Sequence, residues 1–123
     1  MKTIVYTLLL TGLVATSAFA KQVTFKNISP QAGGAKFTLT IAGGTATMNS
    51  TQTIVPQASK TVTLDDQATI SFEAQSTGSQ NMFGKTNPKK DRKAKSFADN
   101  ATYELSVKQG QTGDKYYIVV NKE

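Results

Sequence analysis

The sequence predicts an all-β fold, a single antiparallel β-sandwich of seven or eight short strands. Three observations predict it. Apolar and polar residues alternate with period two along most of residues 21–123. Gly, Pro and Asp punctuate that alternation at short intervals. Thr and Val are frequent, whereas Leu and helix-forming runs are scarce beyond the first segment. Strand number and spacing favour an immunoglobulin-like sandwich, with a small β-barrel as the runner-up. The chain has no Cys and no Trp, so the disulfide and tryptophan pin of antibody domains is missing and pattern alone carries the expectation.

Residues 1–20 read as a signal peptide. Lys2 provides the positive start, residues 4–14 are mostly apolar, and Ala18-Phe19-Ala20 ends in small residues at the positions a signal peptidase inspects. The apolar stretch is shorter than the ~20 residues of a spanning helix, and Lys21 and Gln22 follow at once. Cleavage after Ala20 is therefore expected, leaving residues 21–123 as one domain. A domain of that size buries about 60 to 65% of its unfolded surface and needs no staple. A cysteine-free exported chain points to a bacterial protein, periplasmic or secreted. Three Asn-x-Ser/Thr triplets, at Asn27, Asn49 and Asn100, arise easily by chance in a Thr-rich β sequence and are taken as background.

Along the domain, Val23 and Phe25 alternate with Thr24 and Lys26, and Phe37, Leu39 and Ile41 with Thr38, Thr40 and Ala42. Gly43-Gly44 then signals a hairpin, with residues 45–48 returning antiparallel and residues 51–55 continuing or restarting the strand. Pro56 ends pairing. Val62 and Leu64 share a face, Asp65-Asp66 reads as a turn, and Ala68, Ile70, Phe72 and Ala74 form the next inward row. Those two strands are expected to make a second hairpin. Residues 75–81 are Ser-, Gly- and Gln-rich and read as loop. Tyr103, Leu105 and Val107 alternate with Glu104 and Ser106. A Gly-containing connection leads to Tyr116-Tyr117-Ile118-Val119-Val120, apolar on both faces, which suits a central strand or an edge that a partner covers.

Charge is segregated. Lys85, Lys89, Lys90, Arg92, Lys93 and Lys95 fall within eleven residues against one acid, Asp91. Elsewhere in residues 21–123 seven bases (Lys21, Lys26, Lys36, Lys60, Lys108, Lys115, Lys122) meet seven acids (Asp65, Asp66, Glu73, Asp99, Glu104, Asp114, Glu123). The run, with Pro88 inside it, is expected to be a solvated basic loop at 84–96. Like charges held together repel unless solvated or partnered, so these six residues are the candidate site for an anionic macromolecule or envelope component, such as a polysaccharide or an acidic protein. A purely solubilising loop is the bland alternative. Resemblance of residues 88–93 to a short nuclear-import signal has meaning only inside a host cell, and a protease-inhibitor loop this basic would itself be cut. Sequence-specific nucleic-acid binding is not expected, because Phe83 and Phe97 flank the cations rather than interleave them. The alternative function is a structural or assembly subunit, or an envelope accessory protein, that associates, with itself included, through an exposed strand edge at residues 116–120.

Enzyme chemistry is poorly supplied, and no catalytic residue, cofactor or metal is assigned. The chain lacks His, the usual proton carrier near neutral pH, and Cys. Ser106 and Lys108 read as two outward positions on a strand rather than a nucleophile and its base. Glu73 and Glu104 would make a carboxylate pair only on neighbouring strands. Asp65-Asp66 and Asp99-Asn100 lack the spacing of a calcium loop and read as turn chemistry.

Overall fold

The computed structural model describes residues 20–44, 50–78, 81–84, 86–111 and 115–123. The signal-peptide reading of residues 1–19, the expected return of residues 45–48 and Lys85 therefore lie outside the described residues. Among those described, the chain forms β1 (Lys21–Asn27), β2 (Ala35–Gly43), β3 (Ser50–Ile54), β4 (Ser59–Leu64), β5 (Ala68–Ser76), β6 (Lys89–Lys93), β7 (Ala101–Gln109) and β8 (Tyr116–Lys122). A 3-10 turn, Ala94–Ser96, follows β6. The strands make two four-stranded sheets, ordered β4-β1-β7-β8 and β3-β2-β5-β6. Among the described residues no helix is long and apolar enough to cross a membrane.

The two inward rows meet in one core. Val23 and Phe25 of β1, Leu64 of β4 and Leu105 of β7 face Phe37 and Leu39 of β2 and Ile70 and Phe72 of β5, all buried. In place of a disulfide, aromatic rings join the layers. Phe25 meets Phe72 edge-on at 5.4 Å between centroids and Phe97 at 5.2 Å, and Phe97 meets Tyr103 at 4.8 Å. Edge-to-face pairs add about 0.5–1.5 kcal/mol each beyond the area they bury. The Tyr103 hydroxyl accepts a hydrogen bond from the Ala98 N–H at 2.9 Å, so the ring is buried with its polar tip satisfied.

β2 and β3 pair antiparallel from Phe37↔Ile54 to Ile41↔Ser50, but Gly43 is still a strand residue opposite Ala68 of β5. This register is therefore not that of a two-residue turn at Gly43-Gly44, and the return expected over residues 45–48 lies outside the described residues. Gly43 and Gly44 both have positive φ, 86° and 66°, which glycine adopts without a Cβ clash as the chain leaves β2. The β7–β8 hairpin forms, with Leu105 opposite Val120, and it leaves β8 at the edge of its sheet rather than at the centre.

Three expectations are corrected. First, β4 and β5 are not a hairpin: β4 pairs with β1 and β5 with β2, in different sheets. Asp65 instead forms the corner between layers, its carboxylate accepting the Gln67 N–H at 2.7 Å and its carbonyl the Ala68 N–H at 3.0 Å. Alternation tells which face of a strand is buried, not which sheet the strand joins, and both inward rows face the same core. Second, the sandwich is not wholly antiparallel. β1 and β7 run parallel, from Val23↔Ala101 to Asn27↔Leu105, because the chain visits the other sheet twice between them. Third, the basic run is not simply a loop: Lys89–Lys93 is a strand, antiparallel to β5. The backbone of β5 supplies ladder partners whatever side chains the run carries.

Candidate functional site: the cationic edge strand

β6 is the outermost strand of its sheet. It begins after Pro88, whose ring is buried and whose carbonyl accepts the Ala74 N–H at 3.0 Å. It ends where Ala94 and Phe97, both buried, pin the chain to the core. Between these anchors five residues without an apolar side chain stay extended.

The pleat divides the cations between two faces. Lys89, Asp91 and Lys93 stand opposite Glu73, Ser71 and Thr69 on the outer face, while Lys90 and Arg92 stand opposite the buried Phe72 and Ile70, on the side of the core. Lys93 Nζ donates to Thr69 Oγ1 at 3.3 Å. Lys89 and Lys93, four residues apart, have Cα atoms separated by about 13 Å. On the inner side the Arg92 guanidinium lies over the Phe97 ring, 5.0 Å from its centroid, and donates to Ser96 Oγ at 3.2 Å. Ser96 Oγ in turn donates to the Lys93 carbonyl at 2.7 Å. Stacking and this relay hold the guanidinium plane while leaving most of its donors for another acceptor.

Among the described residues none of Lys89, Lys90, Arg92, Lys93 or Lys95 has a carboxylate within 4.0 Å, whereas Lys21 Nζ pairs with Asp66 Oδ1 at 2.7 Å. Glu73, in register with Lys89, accepts a hydrogen bond from Asn87 Nδ2 at 3.0 Å. Of the six predicted site residues, then, four share one strand and Lys95 sits exposed on the turn that follows. Beside the start of β6 lies a shallow open depression of about 320 Å³ with a polar lining that includes Lys36, Gln75 and Asn87.

The remaining residues weighed for chemistry are dispersed. Glu73 lies on β5 and Glu104 on β7, in different sheets. Ser106 and Lys108 stand on one face of β7, opposite Val119 and Tyr117. Asp66 holds Lys21, and Asp99 Oδ1 accepts the Gln22 N–H at 2.9 Å, so both turns fasten β1. Phe83, at the near flank of the run, packs edge-on against Tyr116 at 5.2 Å.

Sequence reasoning passed over Asn27, which is fully buried. Its Nδ2 donates to the carbonyls of Ala35 at 2.8 Å and Ile54 at 3.0 Å, and its Oδ1 accepts the Ser29 N–H at 2.9 Å. One side chain thereby ties β1 to both β2 and β3, across the layers. No protein-family model and no curated protein sequence matches the chain.

Proposed function

We propose that this protein is an exported, non-enzymatic binding domain that contacts an anionic macromolecule or envelope component through Lys89, Lys90, Arg92, Lys93 and Lys95, with Lys85 beside them in sequence. One observation carries the reading: five cations with no carboxylate partner among the described residues stand on and just after one strand, while charge elsewhere in residues 21–123 balances. An extended strand fixes the spacing of its charges, so less conformational freedom is lost on binding than from a loop. The layer arrangement supports an immunoglobulin-like sandwich, although the parallel β1–β7 pair departs from a purely antiparallel one. Export rests on residues 1–20, and β1 starting at Lys21 agrees with cleavage after Ala20.

Replacing the six bases by Gln tests the reading. Retention on heparin and on anionic vesicles should be lost, with an unchanged thermal midpoint. Equal retention by the variant sinks the proposal. For the unaltered protein, retention should weaken steeply with added salt.

A second reading, an assembly subunit or envelope accessory that pairs edge to edge with another chain, is favoured by the exposed outer edge of β8. Sizing chromatography in high and low salt separates the two, because strand pairing between copies resists salt and charge-mediated contact does not.

A further inference from the structure

Among the described residues, no strand pairs with the outer side of β8, the last strand of its sheet. Its ladder with β7 includes a hydrogen bond from the Glu123 N–H to the Thr102 carbonyl at 2.9 Å and one from the Gly110 N–H to the Lys115 carbonyl at 2.7 Å. Those bonds turn the N–H and C=O of odd-numbered residues toward β7, so the backbone groups of Tyr116, Ile118, Val120 and Lys122 point to the open side. Other edges are guarded. β6 is charged at all five positions, β4 exposes Ser59, Lys60, Thr61 and Thr63, and β3 is shorter than β8 and its four residues Ser50 to Thr53 are polar. β8 runs five residues, Tyr116 to Val120, without a charge or a proline, which is the profile of an edge that accepts another strand.

The charge beside that edge says what kind of strand fits. β6 and β8 pass each other at the same side of the sandwich, with Cα atoms within 8 Å. A strand added to β8 would turn alternate side chains inward with Ile118 and toward Lys90 and Arg92, and the others outward beside Tyr117, which is half exposed, and Val119. The Lys90 side chain has no hydrogen-bonding or ionic partner among the described residues, and Arg92 is held by Phe97 and Ser96 with donors to spare. A second copy of the chain fits poorly there, since pairing β8 with β8 would bring two sets of β6 cations to one seam.

We propose that the open side of β8 receives an extended acidic polypeptide segment whose backbone pairs with Tyr116, Ile118, Val120 and Lys122 and whose inward carboxylates meet Lys90 and Arg92. This rests on reading β6 as an anion-contacting strand and adds the partner's chemistry, acidic inward and apolar outward.

The probe is a blocked eight-residue peptide of alternating Val and Glu, with alternating Val and Lys as the control. Amide hydrogen exchange of Ile118 and Val120 should slow about tenfold or more with the Val/Glu peptide and not with the Val/Lys peptide or heparin. In the variant Lys90→Gln/Arg92→Gln the affinity for the Val/Glu peptide should fall about tenfold. No slowing at millimolar peptide, or equal slowing with the Val/Lys control, overturns the proposal. So does slowing that develops in the protein alone as its concentration rises, which assigns the edge to a second copy. Heparin retention that depends on the six bases, without peptide-induced protection, defeats the strand-pairing inference and leaves the polyanion reading standing; protection without such retention defeats the polyanion reading instead.

Discussion

Asn27 continues the inward row of Val23 and Phe25, so its position is apolar by pattern and polar by identity. Such a residue survives in a core only if its hydrogen bonds are made inside, and here three short ones are. The mutation Asn27→Ala strands two carbonyls and one N–H and should lower the unfolding free energy by about 2–4 kcal/mol, measured by urea denaturation. Full burial also removes this asparagine from consideration as a glycosylation acceptor, which an Asn-x-Ser triplet alone could not decide. The mismatch between row and residue was visible in the sequence. Its partners were not, because Ala35 and Ile54 lie on strands of the other sheet.

At the scale of the element, β6 shows how far composition misleads. Lys-Lys-Asp-Arg-Lys has no residue that gains from burial, and on composition it belongs in solvent. The strand forms because Thr69 to Glu73 of β5 supply a ladder and because Pro88, Ala94 and Phe97 anchor both ends. Inward-pointing charge on an edge strand also deters a second molecule from pairing there, so Lys90 and Arg92 serve the stability of the monomer whatever else they bind. The variant Lys90→Thr/Arg92→Thr should therefore self-associate at concentrations where the parent is monomeric, as read by light scattering. A variant that stays monomeric at every concentration would show that the edge is guarded by other means. The β4–β5 corner teaches the converse lesson. Two clean alternating rows flank Asp65-Asp66, yet the turn joins layers instead of neighbours, since a period of two is identical in both cases.

For the whole molecule, the first strand is a structural keystone. β1 lies between β4 and β7, and Asn27 and the Phe25 ring connect its sheet to the other. Residues 21–123 expressed without the first twenty should reach the same thermal midpoint as the full chain, while residues 28–123 should not fold cooperatively, both by circular dichroism. The parallel β1–β7 pair joins residues some eighty positions apart. Contacts of that separation make folding slow, on the scale of milliseconds to seconds, because loop closure precedes any gain from pairing.

The β class, the inward rows, the apolar strand at residues 116–120 and the concentration of charge in one run were all legible in the amino-acid sequence. Each is a local property, read from periodicity or counting. Only the tertiary structure decided which sheet each strand joins, that β1 and β7 run parallel, that the basic run is an edge strand with its cations split between faces, and that this edge stands beside the uncharged edge of β8. Those facts depend on contacts between residues far apart in the chain, and alternation of polarity marks a buried face without naming what buries it.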